Sequence, residues 1–287
     1  MRRFPAALGA FLVMAGGMLI EAGSGQDPVF SEAQSYERFM GRWSRQIAPL
    51  LVRFAGVRDG DTVLDVGSGT GALAAAVAAA APSSPIIGID PAAPYVALAR
   101  SRQGSALVSF EVGDAQEMRF RTATFDRTLS LLVVNFIPDV RKALDEMTRV
   151  TKPTGTVAAA VWDYGDGMEM LRVFWDEAVA ITPANAAKDE RHMPLCRQGD
   201  LGALWRERGL RDVVEEGLAI ETRFASFDDF WSPFLEKQGP AGVYVASMAP
   251  ADRETLRMRL RRRLLGEGPD KAIVLQARAW AVRGTVP

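Results

Sequence analysis

The chain has 287 residues, of which 48% are hydrophobic and 24% are charged, and its formal net charge is -1. This length and apolar content suit one large α/β domain, and the near-neutral charge excludes a strong general attraction to nucleic acid or anionic membranes. A single cysteine, Cys196, and a single histidine, His192, exclude a disulfide framework, a cysteine- or histidine-rich metal site and conventional catalytic triads.

The N-terminal residues resemble a secretory signal peptide. Arg2 and Arg3 precede a mostly apolar run over 4–20, and small residues follow at 22–24. The run is short and contains glycine, so no stable membrane span is predicted. We interpret residues 1–30 as a signal-like segment or as the result of a start assigned too far upstream. We expect a cytoplasmic protein, with export or membrane association as the alternative if the signal is real.

Predicted strands and helices alternate through the first half of the chain. We predict strands at 62–66, 86–89, 106–112, 125–134 and 155–162, and helices at 31–54, 72–81, 94–103 and 139–150. The strands are continuous apolar runs rather than alternating patterns, which is typical of a parallel sheet covered by helices on both faces. In such sheets, ligands bind beyond the carboxyl ends of the strands.

This alternation ends after residue 165. We predict a helix at 168–181, a polar loop at 182–196, a short helix at 200–209, a strand at 212–224, an aromatic-rich stretch at 226–238, a basic helix at 250–265 and a last strand at 272–282. Two late strands therefore enclose a helical insertion. The predicted division is a cofactor-binding core over 31–165 and, over 166–287, a helical cap with the last two strands of the same sheet.

A glycine-rich turn, residues 67–71, links the first predicted strand to the next helix. Glycines allow sharp turns and close approach of a ligand, and a helix N-terminus presents free N–H groups. The segment fits a relaxed dinucleotide fingerprint, and also an acid-x-G-x-G-x-G pattern that begins at Asp65. An ionised Asp65 would oppose a pyrophosphate, whereas it suits the ammonium and sulfonium groups of S-adenosylmethionine. The acid therefore favours the second cofactor.

Two more acids follow predicted strands. Asp90 is placed to accept hydrogen bonds from both ribose hydroxyls, and Asp114 to accept one from an adenine amine. The backbone N–H of Ala115 is placed to meet an adenine ring nitrogen. Each acid alone is equally well explained as a solvated strand-end or turn residue. Acids at the ends of three successive strands nevertheless favour one shared site.

These motifs resemble those of class I S-adenosylmethionine-dependent methyltransferases, in the group that includes the ubiquinone/menaquinone-biosynthesis and type 11 enzymes. The matching segments are 63–71, 88–90, 113–115, 125–126 and 144–155. The resemblance implies a Rossmann-like, seven-stranded, mostly parallel sheet with a reversed last strand, helices on both faces and a helical insertion late in the chain. It also implies S-adenosyl-L-methionine as cofactor and in-line methyl transfer to a small-molecule acceptor.

The candidate cofactor-binding residues lie in the first predicted helix and after the strands. They are Tyr36, Asp65, Gly67, Ser68, Gly69, Gly71, Asp90, Pro91, Asp114, Ala115 and Leu131. Tyr36 is included because the resemblance places that helix over the cofactor. No metal ligand is predicted.

The sequence does not single out a catalytic base. Related methyltransferases often carry histidines after the fourth strand, where this chain has Asn135 and Phe136. The titratable alternatives are His192, Asp163, Tyr164 and Asp166, and each is also explained as an ordinary loop or turn residue.

Two other functions remain open at this point: a nicotinamide-dependent oxidoreductase that uses the same glycine loop, and a non-catalytic cofactor-binding relative. The arginines of 257–263 favour a solvated helix face, so no nucleic-acid partner is predicted. The aromatic residues of 162–175 and 224–244 could line an apolar acceptor pocket, but the core of the insertion is the preferred interpretation for most of them.

Overall fold

The computed structural model describes residues 33–287, so the signal-like segment and the first two residues of the predicted helix 31–54 lie outside the described residues. Within them, seven strands form one sheet: β1 Val63–Val66, β2 Ile86–Asp90, β3 Val108–Val112, β4 Phe125–Leu131, β5 Thr151–Trp162, β6 Arg211–Phe224 and β7 Ile273–Thr285. Their order across the sheet is β3-β2-β1-β4-β5-β7-β6. Strands β1 to β5 are parallel, and β7 is antiparallel to both β5 and β6. The predicted Rossmann-like, mostly parallel sheet with a reversed last strand is confirmed.

Helices connect these strands in the predicted places. They are α1 Ala33–Tyr36, α2 Arg42–Phe54, α3 Ala72–Ala80, α4 Ala93–Arg102, α5 Val140–Val150, α6 Glu169–Ile181, α7 Asp200–Glu207, α8 Phe227–Trp231, α9 Gly239–Ser247 and α10 Pro250–Leu265. The predicted first helix is not continuous, because a π-helical turn, Glu37–Gly41, joins α1 to α2. No helix among residues 33–287 is long and apolar enough to cross a membrane.

The end of β4 and the start of β5 differ from the positions predicted from the apolar pattern, and the backbone conformation explains both differences. β4 stops at Leu131, three residues before the predicted end, because Leu132 adopts a left-handed conformation with φ of 63°. A 3-10 turn, Val134–Phe136, follows. β5 begins at Thr151, four residues before the predicted start, and a register shift against β4 accommodates Thr154, whose φ is 63°. These turns set the positions of the side chains after β4.

The aromatic residues of the insertion form a buried core. Phe174 of α6 stacks on Phe234 with ring centroids 4.6 Å apart, and Trp43 of α2 meets Phe224 at 5.3 Å. The predicted polar loop 182–196 contains two 3-10 turns, Pro183–Lys188 and Glu190–His192. Helix α9 was not predicted. The preferred interpretation of these aromatics as core is consistent with their burial.

Candidate functional site

The carboxyl ends of β1, β2 and β3 bring the three predicted acids to one edge of the sheet. Asp65 lies in β1 opposite Gly88 of β2, Asp90 ends β2, and Asp114 lies two residues after β3. The backbone N–H groups of Gly67 and Ser68 both donate to the carbonyl of Ile89, at 2.8 Å. These bonds fasten the glycine loop beside Asp90.

The three glycines of the loop differ in the space that surrounds them. Gly67, Gly69 and Gly71 have φ values of +71°, +52° and +88°, a region that side chains rarely adopt. A Cβ at Gly67 would lie 2.4 Å from Val133, and one at Gly71 would lie 3.0 Å from Phe110. A Cβ at Gly69 would have nothing within 4 Å. Of the three, Gly69 is therefore the position where the loop leaves open space.

Asp65 is buried with one carboxylate oxygen unsatisfied. Its Oδ2 accepts from the backbone N–H of Ala74 at 3.1 Å, at the start of α3, whereas its Oδ1 has no hydrogen-bond partner within residues 33–287. Burial, with a contribution from the charge of Asp90, raises the pKa of Asp65 from an ordinary 3.8 to about 7. The Oγ of Ser68 is likewise buried and unpaired in the described part of the chain. Buried polar atoms of this kind are normally paired, so both atoms fit a site that a ligand completes.

Asp90 is held by backbone donors at both oxygens. Its Oδ1 accepts from the N–H of Ala92 at 2.8 Å and its Oδ2 from the N–H of Gly69 at 2.9 Å. Burial raises its pKa, although both N–H groups act in the opposite direction. Each carboxylate oxygen has a second lone pair, so the oriented carboxylate keeps capacity for ligand hydroxyls. Pro91, the next residue, is exposed.

The remaining candidates after the strands are less distinctive. Asp114 is exposed, and its Oδ1 accepts from the backbone N–H of Gln116 at 2.8 Å, as in an ordinary turn. Ala115 is half-buried, and Leu131 is buried as the last residue of β4. The proposed contacts of these residues stay predictions.

Tyr36 lies at the same edge as the acids. Its ring packs on Tyr95 with centroids 5.5 Å apart, and its hydroxyl is 3.2 Å from the Oγ of Ser44. Burial raises the pKa of Tyr36, and the charges of Glu37 and Asp90 act in the same direction. The phenol therefore lies near the end of β2.

Glu37, the residue after Tyr36, connects the N-terminal helix to the glycine loop. One of its carboxylate oxygens accepts from the hydroxyl of Thr70, and the other pairs with Arg45 and Arg102. A surface cavity of about 400 Å³ lies beside this contact, lined by α3, by the end of α4 with the residues after it, by β3, and by Thr70 and Gly71 of the glycine loop. Neither Asp65 nor Asp90 borders it, and Gly71 is the one candidate cofactor-binding residue that does.

The sequence-predicted base candidates have different surroundings. His192 and Asp166 are exposed. Asp163 is paired with Arg278 at 2.5 Å, and its carboxylate accepts from the N–H of Asp166 at 3.0 Å. Tyr164, two residues after β5, is buried. No group of three or more histidine, cysteine, aspartate or glutamate side chains in the described chain is arranged to hold a metal ion.

Sequence reasoning missed one buried acid near this edge. Glu190 is 4% exposed and lies after α6, in a stretch predicted to be a polar loop. Its Oε2 accepts from the indole N–H of Trp175 at 2.7 Å. The available signal was Trp175 itself, because a buried indole N–H needs an acceptor.

Comparison with known proteins identifies the family. Residues 64–159 match a family model described as a methyltransferase domain. A malonyl-[acyl-carrier protein] O-methyltransferase of Geobacter sulfurreducens is 30% identical over 185 residues, covering 64% of this chain and 67% of that protein. The chain belongs to the S-adenosylmethionine-dependent methyltransferases. A ubiquinone/menaquinone biosynthesis C-methyltransferase of Bdellovibrio bacteriovorus is 31% identical to this methyltransferase over 109 residues, covering 37% of this chain and 46% of that protein.

Solved structures share the fold of this methyltransferase. Phosphoethanolamine N-methyltransferase 2 of Haemonchus contortus, in complex with S-adenosyl-L-methionine, superposes with a TM-score of 0.53 at 22% identity, covering 88% of this chain and 56% of that chain. S-adenosyl-L-methionine is the cofactor of the family, and the nicotinamide alternative is set aside. The unpaired Asp65 Oδ1 and the open space at Gly69 fit this cofactor, because it brings a cationic amino-acid group to the loop.

Proposed function

We propose that this methyltransferase methylates a small-molecule acceptor and holds its cofactor at the carboxyl edge of β1, β2 and β3. The observation that carries the proposal is the Oδ1 of Asp65, a buried carboxylate oxygen without a partner in the described chain, just before the glycine loop. A cationic ammonium group would satisfy this oxygen and favour its ionised form. A pyrophosphate would do the opposite.

The candidate residues receive separate roles in this proposal. Asp65, with the loop residues Gly67, Ser68, Gly69 and Gly71, holds the amino-acid end of the cofactor. Asp90 and the adjacent Pro91 hold the ribose. Asp114 and Ala115 contact the adenine, and Tyr36 and Leu131 cover the cofactor from the N-terminal helix and the end of β4.

The protein's contribution to methyl transfer is positional. The cofactor supplies an activated methyl group on a sulfonium. The chain's own residues orient the two reactants and exclude water, which can lower the barrier by several kcal/mol. We propose that residues 31–165 bind the cofactor, and that the helical part of 166–287 covers the acceptor. A small-molecule acceptor is supported by the relative named for ubiquinone/menaquinone biosynthesis.

Titration calorimetry with S-adenosylhomocysteine tests the cofactor assignment. Asp90→Ala should weaken binding by about 1–3 kcal/mol, because it removes charge-assisted hydrogen bonds. Asp166→Ala is the matched control, because Asp166 is an exposed acid after β5. Equal affinities for the two variants would contradict the ribose assignment.

Labelled cofactor tests the acceptor class. The enzyme is incubated with a deproteinised small-molecule extract of the source organism and, separately, with the protein fraction. Label should enter the small molecules. Label confined to the protein fraction would contradict a small-molecule acceptor.

A further inference from the structure

A second group of polar side chains lies beyond the ends of β4 and β5, and the cofactor contacts do not use it. Asn135 lies in the 3-10 turn after β4, Tyr164 two residues after β5, and Glu190 in the loop after α6. All three are nearly fully buried, with exposed fractions of 5%, 4% and 4%. Three elements that are distant in sequence therefore supply polar groups to one region.

Asn135 has the clearest mark of a ligand contact. Neither its amide nitrogen nor its amide oxygen has a hydrogen-bond partner among residues 33–287. A primary amide carries two N–H donors and an acceptor oxygen, and leaving such a group buried and unpaired costs about 1–3 kcal/mol. The amide lies beside the hydroxyl of Tyr164 and lowers its pKa, although the two do not form a contact of full hydrogen-bonding geometry.

Tyr164 links this group to the cofactor edge. Burial raises the pKa of Tyr164 well above its usual value, and the charges of Glu190 and then Tyr36 add to the effect. Tyr36 in turn is influenced by the charge of Asp90. The phenol of Tyr164 is thus within electrostatic range of both Glu190 and Tyr36, although no direct hydrogen bond joins it to Glu190 in the described chain.

Glu190 has the environment of a base. It forms no ion pair within the described chain, and Arg172, the cation whose charge acts on it, is paired with Asp189 at 2.5 Å. Burial raises the pKa of Glu190 to about 7, the charge of Asp189 adds to this, and the Trp175 hydrogen bond and the Arg172 charge act in the opposite direction. A carboxylate with a pKa near the working pH is well suited to take a proton.

Resting on the proposed function, we propose that Asn135 and Tyr164 contact the acceptor, that the acceptor reacts through a hydroxyl or an amine, and that Glu190 receives its proton through Tyr164. The lone pair of the acceptor atom forms the new bond to the methyl carbon while the carbon–sulfur bond breaks and its electron pair stays on sulfur. The acceptor's proton moves to the Tyr164 oxygen, and the Tyr164 proton passes through one bridging water to the Glu190 carboxylate. Glu190 later releases that proton to water.

The rate of methyl transfer should then depend on the ionisation of Glu190. The groups that act on it are Trp175 and Arg172 from α6, Asp189 from its own loop, and Tyr164 from the end of β5. Because the carboxylate must be ionised to accept a proton, the rate should rise as the pH increases through about 7 and level off above it. Trp175→Phe removes a donor to the ionised form, so it should move this midpoint to a higher pH.

The test identifies the product that the wild-type enzyme forms and compares the rates of the variants. Wild-type enzyme, labelled S-adenosylmethionine and the small-molecule extract should give an O-methyl ether or an N-methyl amine, which mass spectrometry distinguishes and which base treatment leaves intact. Glu190→Gln should lower the rate by about 100-fold or more, with unchanged affinity for S-adenosylhomocysteine. Glu190→Asp should recover part of the rate, and Tyr164→Phe should lower it. Glu216→Gln, which makes the same change at an exposed position of β6, is the control without effect.

Several outcomes would overturn the inference. A base-labile methyl ester or a C-methyl product would contradict the acceptor class. Full rates with unaltered pH profiles in Tyr164→Phe and Trp175→Phe would contradict the proton route, even if Glu190→Gln failed to fold. If the enzyme binds S-adenosylhomocysteine but labels no small molecule, the proposed function fails, and this inference fails with it. If it labels one and the variants act like wild type, the inference alone fails.

Discussion

Replacing Asp65 with asparagine should change the pH dependence of stability in a specific way. The substitution keeps the side chain's size and the oxygen that accepts from Ala74, but it removes the ionisable group. Burial raises the pKa of Asp65 from 3.8 to about 7. Since each pKa unit corresponds to about 1.36 kcal/mol, the ionised carboxylate lowers the free energy of unfolding by about 4 kcal/mol above that pKa.

Stability falls with rising pH because the folded and unfolded chains bind the Asp65 proton with different affinities. The folded chain holds the Asp65 proton up to a higher pH than the unfolded chain does, so wild-type stability falls as the pH rises from about 4 to about 7. Between pH 5 and pH 8 this loss of stability grows by about 3 kcal/mol. Asp65→Asn has no ionisable group at this position, so it lacks this pH-dependent loss of stability. Asp90 and Glu190, whose pKa values are also raised, remain in both proteins and largely cancel.

Urea titrations of wild type and Asp65→Asn at pH 5 and pH 8 measure this difference. Between the two pH values, wild type should lose about 3 kcal/mol more stability than the variant does. The variant should also bind S-adenosylhomocysteine about 10-fold or more weakly at pH 8, because the ammonium loses a charged partner. Asp166→Asn should behave like wild type in both measurements. An identical pH dependence in wild type and Asp65→Asn would refute the reasoning, since Asp65 would then titrate normally.

Three other substitutions test the glycine loop. Gly69→Val should cost about 1–3 kcal/mol of stability, because a φ of +52° is strained for a β-branched residue, but it should leave the protein folded because nothing beyond the chain neighbours lies within 4 Å of its Cβ. Calorimetry should show little cofactor binding. Gly67→Ala should instead lower the free energy of unfolding by about 2 kcal/mol or more in urea titrations, because its Cβ would lie 2.4 Å from Val133. Thr70→Val removes the hydroxyl that donates to Glu37, so hydrogen exchange in residues 33–41 should become faster and S-adenosylhomocysteine affinity should fall several-fold. Unchanged exchange and affinity in Thr70→Val would show that this contact does not hold the helix.

The cofactor edge was predictable because its signals are local. Asp65, near the end of β1, comes two residues before the glycine loop that leads into α3, and Asp90 directly ends the next strand. The end of β4 could not be predicted from the sequence. The apolar run continues to Val134, whereas the strand ends earlier because Leu132 adopts a left-handed conformation. Leucine gives no sequence signal for that conformation.

The acceptor side was hidden because its contacts are distant in the chain. Glu190 looks like a solvated loop residue until Trp175, fifteen positions earlier, donates to it in a buried setting. Helix α9 was missed for a different reason. Gly239 and Gly242 suggest a loop, yet Gly239 starts the helix with a φ of +64° and a Cβ there would lie 3.1 Å from Phe39. The positive φ and the close contact with Phe39 of the π-helical turn together account for that glycine.

Two buried carboxyl groups, Asp65 and Glu190, have pKa values raised to about 7, and the proposals assign them to different steps. Cofactor affinity should therefore rise with pH through Asp65, and the rate at saturating cofactor should rise through Glu190. The two profiles can be separated by substitution. Asp65→Asn should flatten the affinity profile and leave the midpoint of the rate profile in place, whereas Trp175→Phe should move only the rate profile. If either variant moved both profiles together, the two carboxyl groups would not act at separate steps.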